Sequence, residues 1–271
     1  MTRATIESRT TEFREARRAL DLFDSNLWLG RPAVPESFWA FERMADLVEH
    51  LRRCDIRRGI VTHLAAKDYA VQPGNRMLLR ALADWPGFYG AVVMTPDMAW
   101  SETEFRTLLA DLLQRRVRLV RLFPLTHKFS LARWCAGPLL DGLADRRVPA
   151  VIWHTELNWE TVDRLCGDYP GLPVIVEGTP QKILYHPRSF YPLFKKHPNL
   201  FLEMHGVVGL MAVEDIVAHC GAGHLIYGSY LPFADPNAPA MMIAAARIAE
   251  ADKAAIAHGN LERLLEAIDL S

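Results

Sequence analysis

The sequence predicts an α/β protein of the (β/α)8 TIM-barrel class. Three observations lead there. Short β-branched or apolar runs alternate with longer amphipathic stretches; about eight such pairs can be marked; and 271 residues is a length over which eight strand–helix units can close on themselves. Strand then helix, repeated, implies parallel strands joined by right-handed crossovers. An open doubly wound sheet is the competing arrangement, weakened because no glycine-rich fingerprint follows the first run.

The candidate strands, in order, are ALDLFDS from Ala19, RGIVTHL from Arg58, FYGAVVM from Phe88, VRLVRLF from Val117, PAVIWHT from Pro149, LPVIVEG from Leu172, LFLEMHG from Leu200 and HLIYGSY from His224. The first continues as LDLFDSNLWLG, in which Asn26 and Trp28 stand two residues apart and so point the same way. Between strands, PESFWAFERMADLVEHLRR sets Phe38, Phe41, Met44, Leu47, Val48 and Leu51 at helical spacing. SETEFRTLLADLLQRR opens with Ser101 and Glu104 in a capping-box pattern, and NWETVDRLCGDYPG starts at an Asn158 cap. SFYPLFKKHPN and MAVEDIVAHCG read as shorter helices, and the C-terminal NAPAMMIAAARIAEADKAAIAHGNLERLLEAI as two helices broken near Asp252 or Gly259. One domain, 1–271, is the economical reading, with 1–18 a helical N-terminal extension.

Half the residues are hydrophobic and 23% charged, enough for a full core, and the net charge of −1 argues against nucleic acid or an anionic membrane as partner. The basic run RRVR, Arg115 to Arg118, reads as a solvated helix end. Cys54, Cys135, Cys166 and Cys220 form no C-x-x-C pair, which fits free thiols in a reducing compartment. The charged N-terminus has no signal-like apolar region, and no apolar run approaches the ~18 residues of a membrane span. A cytoplasmic protein is expected.

In a barrel of this class the site forms where the strands end. There the sequence delivers Asn26 and Trp28, His63, Arg121, His154, Glu177, Glu203 and His205, and Ser229 and Tyr230; the third strand offers only Met94 and Thr95. A single such histidine is ordinary. Charged and imidazole groups converging from several strands on one rim are costly unless paired or used, so a small-molecule pocket is expected.

At these residues the chain resembles the amidohydrolase-related family of barrel hydrolases and decarboxylases, from about Leu20 to Leu265. LDLFDSNLWLG resembles the family's first-strand Asp-x-His-x-His segment followed by Leu-Gly. RRVPAVIWHTE is very like the fifth-strand phrase that ends in a metal-binding His, and HLIYGSYLPF is like the eighth-strand Gly-Ser-Asp-x-Pro. CDIRRGIVTHL, NRMLLRALADWPGFYGAVVMTP, VRLVRLFP, HPNLFLEMHG and IAHGNLERLL fit the intervening segments. The resemblance implies a divalent metal, zinc foremost, held by the two first-strand His, the fifth-strand His and the eighth-strand Asp. Carried over position by position, only His154 survives: Asn26 and Trp28 stand at the first-strand positions, Glu177 or Gly178 at a sixth-strand His, and Tyr230 at the Asp. Indole cannot ligate a metal, an amide carbonyl suits hard cations rather than zinc, and phenol ionises only near pH ~10. The standard mononuclear centre is therefore expected to be missing.

Three readings follow. In the first, a metal-independent hydrolase or lyase acts on a small carboxylated or cyclic molecule. His154 serves as acid or base with Glu177 and His205, Tyr230 and Asn26 donate hydrogen bonds to a developing oxyanion, Arg121 receives a carboxylate, and Trp28 and His63 complete the substrate pocket. In the second, His154, Glu177 and His205 form a relocated zinc site. In the third, the chain is a non-catalytic ligand-binding pseudoenzyme. The Met-containing face of PAMMIAAARIAEA fits either barrel packing or a homo-oligomer surface.

Overall fold

A computed structural model of the chain describes residues 3–33, 40–178, 187–207 and 209–271. Eight parallel strands run in sequence order: β1 (Phe23–Leu29), β2 (Arg58–His63), β3 (Phe88–Val93), β4 (Val117–Leu122), β5 (Ala150–Trp153), β6 (Val174–Glu177), β7 (Leu200–Glu203) and β8 (Leu225–Ile226). The seam back to β1 is closed by backbone bonds from the Ser25 N–H to the Tyr227 carbonyl (3.1 Å) and from the Trp28 N–H to the Leu231 carbonyl (2.9 Å). A parallel bridge pairs Leu27 with Leu231. The sheet is therefore a barrel rather than an open sheet.

The helices around it are α1 (Arg3–Ala19), α2 (Met44–Arg53), α3 (Leu64–Asp68), α4 (Val71–Ala81), α5 (Glu102–Gln114), α6 (Arg133–Asp145), α7 (Trp159–Asp168), α8 (Pro187–Lys196), α9 (Ala212–Cys220), α10 (Asn237–Ala245), α11 (Glu250–Ala254) and α12 (Asn260–Glu266). Their local signals are those of the sequence. The Ser101 hydroxyl accepts from the Glu104 N–H at 3.4 Å to start α5, and the Asn158 side chain accepts from the Thr161 N–H at 2.8 Å to start α7. Met44, Leu47, Val48 and Leu51 form the buried stripe of α2, and Phe41 is buried ahead of it; Phe38 lies outside the described residues.

Three local expectations change. β1 starts at Phe23, not Ala19, because α1 runs through Ala19 and Asp21, at φ +47°, turns the chain into the sheet. The C-terminal helices part between Ala245 and Glu250, and α11 joins α12 through a π-helical turn at Ala255–Gly259 rather than a break. RRVR is not a solvated helix end. Arg116 reaches back to the Leu82 (2.6 Å), Ala83 (3.2 Å) and Trp85 (2.8 Å) carbonyls, and Arg118 holds the Leu113 carbonyl at 2.7 Å. These guanidinium groups satisfy carbonyls that helix ends and turns leave open.

The barrel interior is layered. Phe23, Ile60, Ala91, Leu119, Val151, Ile175, Phe201 and Ile226, one from each strand, pack together with Leu261 and Leu264 of α12 and seal one end. One pleat further on, the same face carries Thr62, Val93, Arg121, Trp153, Glu177 and Glu203. The chain thus places an apolar plug below and a polar, aromatic layer above, at the carboxyl ends of the strands.

Candidate active site

Period-two geometry brings Asn26 and Trp28 together as expected: the Trp28 indole N–H donates to the Asn26 side-chain oxygen at 2.8 Å. The same oxygen accepts from Arg121 Nη2 at 3.2 Å, while Asn26 Nδ2 donates to Glu203 at 3.1 Å. Asn26 and Trp28 are fully buried.

Arg121 is the centre of this layer. Its guanidinium, with no exposed surface, donates from Nε to the Thr62 hydroxyl (2.6 Å) and from Nη1 to Glu177, and lies 4.6 Å over the Trp28 ring. Glu177 also accepts from the Trp153 indole N–H at 2.9 Å. Burial pushes the Glu177 carboxyl upward and Arg121 pulls it back; a guanidinium, which keeps its proton, holds it as counter-ion.

On the other side, Glu203 Oε2 meets His205 Nδ1 at 2.5 Å and Oε1 accepts the His205 backbone N–H at 2.8 Å. Burial alone favours the neutral imidazole, but the Glu203 carboxylate outweighs it and raises the His205 pKa. His205 Nε2 is buried with no hydrogen-bond partner among the described residues. The Tyr230 ring lies against the imidazole, centroids 4.6 Å apart and planes 22° from parallel. Gly228 lets Glu203 reach this position: a Cβ there would sit 2.3 Å from Glu203 Oε1. The network thus reads Glu177–Arg121–Asn26–Glu203–His205, with a guanidinium beside one carboxyl group and an imidazole beside the other.

Beside it lies Asp24, fully buried. Its Oδ1 accepts the N–H groups of Asn26 and Ser229, both at 3.0 Å, and its Oδ2 has no hydrogen-bond partner among the described residues. Burial pushes this carboxyl up to about 7. Above the network, Trp28, Phe123, Trp153, Tyr230 and Phe233 pack edge-on or tilted around one another, with Trp28 within 6.4 Å of each. Tyr230 holds this place at φ +58°, a region that costs a bulky residue about 1–3 kcal/mol.

Of the remaining expected residues, His63 is built into the wall. Its Nδ1 accepts the Ala65 N–H at 3.2 Å as the cap of α3, and burial lowers its pKa. Gly30, at φ +94°, passes so close that a Cβ would stand 2.7 Å from the imidazole Cε1. His154 begins the turn after β5, half-buried, with Nδ1 3.4 Å from the Glu177 carbonyl. Arg121 and Asn26, expected to face substrate, have protein partners instead. Thr62, Trp153, Asp24 and Lys67 complete the mouth without having been singled out, and Glu203, named only as a strand-end residue, carries His205. For Glu203 the signal was present: it precedes His205 by two and shares its face.

The metal that the family resemblance implies does not fit here. Trp28 and Tyr230 fill two of the implied ligand positions with rings, Asn26 is consumed by Trp28, Arg121 and Glu203, and a guanidinium stands within the same layer. The relocated centre would need His154, Glu177 and His205 to converge. Among the described residues no group of three His, Cys, Asp or Glu side chains is placed to hold a metal, and Glu177 is turned to Arg121 and Trp153.

Comparison with solved structures finds the same barrel. An uncharacterized TIM-barrel protein from Bordetella bronchiseptica is 18% identical, with a TM-score of 0.65 over 97% of this chain and 92% of that one. A dihydroxybenzoic acid decarboxylase from Polaromonas sp., solved with bound manganese and the inhibitor 2-nitroresorcinol, is 14% identical, with a TM-score of 0.70 over 90% and 96%. A 5-carboxyvanillate decarboxylase from Sphingomonas paucimobilis is 15% identical, with a TM-score of 0.65 over 92% and 100%. No curated protein matches the sequence. No helix among the described residues is long and apolar enough to cross a membrane. The family model described as Amidohydrolase matches residues 36–267, which include β2 to β8 but not β1, and the chain belongs to that family.

Proposed function

We propose that this chain is a metal-independent enzyme of the decarboxylase type acting on a small cyclic or aromatic carboxylic acid, with His205 as the proton donor. The observation that carries the reading is the His205–Glu203 pair. Glu203 fixes the ring through Nδ1 and favours the imidazolium, leaving Nε2 buried, without a hydrogen-bond partner among the described residues, beside a cluster of aromatic rings. A raised pKa suits delivery of a proton better than its abstraction. In a decarboxylation the carbon–carbon bond to the carboxylate breaks, its electron pair stays on the ring carbon, carbon dioxide leaves, and the Nε2 proton takes its place; solvent then reprotonates His205. Tyr230 holds the imidazole flat, His154 stands at the rim as a second proton carrier, and His63 supports the wall. Arg121, Asn26, Glu177 and Trp28 are the preorganised floor. The aromatic rings suit a flat substrate, and the two decarboxylases of similar fold supply the substrate class.

The test is a panel of hydroxybenzoic acids, followed by loss of ultraviolet absorbance and release of carbon dioxide. Turnover is expected to survive EDTA and to fall by about 10²–10⁴ in His205→Gln. Activity that requires added metal, or that persists in His205→Gln, refutes the proposal.

A further inference from the structure

A carboxylated substrate needs a cation at the mouth, and the sequence points to Arg121. The structure gives Arg121 no exposed surface and engages its guanidinium with Thr62, Glu177 and Asn26. A second cation is differently placed. Lys67, on α3, carries its ammonium 4.8 Å over the Trp153 ring and 5.9 Å over the Phe123 ring, two faces of the aromatic cluster. Its side chain is 15% exposed, so it is held yet reachable.

Two residues hold it. The Asp68 carboxylate accepts from Lys67 Nζ at 2.8 Å and is itself fixed by the Ala33 N–H on its other oxygen at 3.0 Å. His127 donates from Nε2 to the Lys67 carbonyl at 2.8 Å, and its ring packs against Phe123 at 5.8 Å. An ammonium has three donors, and Asp68 takes one of them.

We propose that Lys67 is the carboxylate-binding residue of the mouth and sets the preference for acids over neutral analogues, with Asp68 and His127 as its positioning residues. This rests on the reading above that the substrate is a flat carboxylic acid. The division of labour is physical. Arg121 spends its charge on Glu177 in a sealed layer, whereas Lys67 keeps a partly exposed ammonium over the rings that a flat acid would stack against. Asp68 competes with the ligand for the same ammonium, so it tempers affinity as well as fixing geometry.

The experiment uses 2,6-dihydroxybenzoate and 2,6-dihydroxybenzamide as probes, with tryptophan fluorescence and calorimetry on the full chain. The wild type is expected to bind the acid about five- to tenfold more tightly than the amide. Lys67→Met should bring that ratio to about one with amide binding retained, Lys67→Arg should keep part of the preference, and Asp68→Asn should tighten the acid alone. An acid preference that persists in Lys67→Met, with turnover still dependent on His205, overturns the assignment of Lys67 and leaves the proposed reaction standing. Failure of the wild type to bind either probe overturns both.

Discussion

Replacing Arg121 with methionine tests the central layer most directly. Arg121 and Glu177 are 0% and 1% exposed as side chains, so the substitution leaves a carboxylate sealed in the barrel with, among the described residues, the Trp153 N–H as its remaining donor. Removing one partner of a buried ion pair costs about 3–5 kcal/mol. Part of that is the guanidinium–indole contact over Trp28, about 2 kcal/mol when desolvated. With a urea slope of about 3 kcal/mol per molar, the midpoint should fall by about 1–1.7 M, read by the fluorescence of Trp28 and Trp153. Glu177→Gln uncovers the guanidinium instead and should cost a similar amount. The double variant removes both charges, and its cost should be at least about 2 kcal/mol less than the sum of the two. A loss below about 1 kcal/mol in Arg121→Met, or additivity within about 0.5 kcal/mol, refutes the view that these charges hold each other in place.

Asp24 predicts a pH dependence of stability. Its carboxyl titrates near 3.8 unfolded and about 7 folded, so between those values the folded state keeps a proton that the unfolded chain has lost. Its contribution is complete below pH ~4 and is lost as pH rises to ~7, by roughly 4 kcal/mol; Asp24→Asn should flatten thermal melts over that range. Gly228→Ala drives a methyl into Glu203, which must move off His205. A loss of about 1–3 kcal/mol in stability and a large fall in turnover are expected, and unchanged kinetics would contradict the role given to the pair.

The barrel was legible because its signals are local. Runs such as RGIVTHL and FYGAVVM carry β-branched residues in short bursts, and their strands begin at Arg58 and Phe88 as read. The start of β1 was not legible, since Leu20 and Leu22 are as apolar as a strand yet belong to the docking of α1 and the turn behind it. At the mouth, residue identity and direction could be read from period two, which placed Asn26 beside Trp28. Partnership could not: that Arg121 pairs with Glu177, 56 positions away, and that Glu203 takes both Asn26 and His205, depends on which strands face one another across the barrel. Lys67 was invisible for a related reason. It lies in a short helix after β2, where no periodicity marks a residue as facing the rings of other strands.

The two-residue β8 has a mechanical meaning. β8 pairs with β7 at two positions, Leu202–Leu225 and Glu203–Ile226, and meets β1 through the Ser25 and Trp28 N–H groups, the Leu27–Leu231 bridge and the Asp24 carboxyl on the Ser229 N–H, whereas the other ladders run for three to five pairs. A cylinder stitched so lightly on one side should open there first, and the amides of Ser25 and Trp28 should exchange with deuterium faster than those of β4 or β5. Tyr230 and Phe233 ride on the loose flank, while Arg121 belongs to the firm one. Breathing at the seam would lift Tyr230 from the imidazole and leave Arg121 in place, which makes the shortest strand of the sheet the hinge of its entrance.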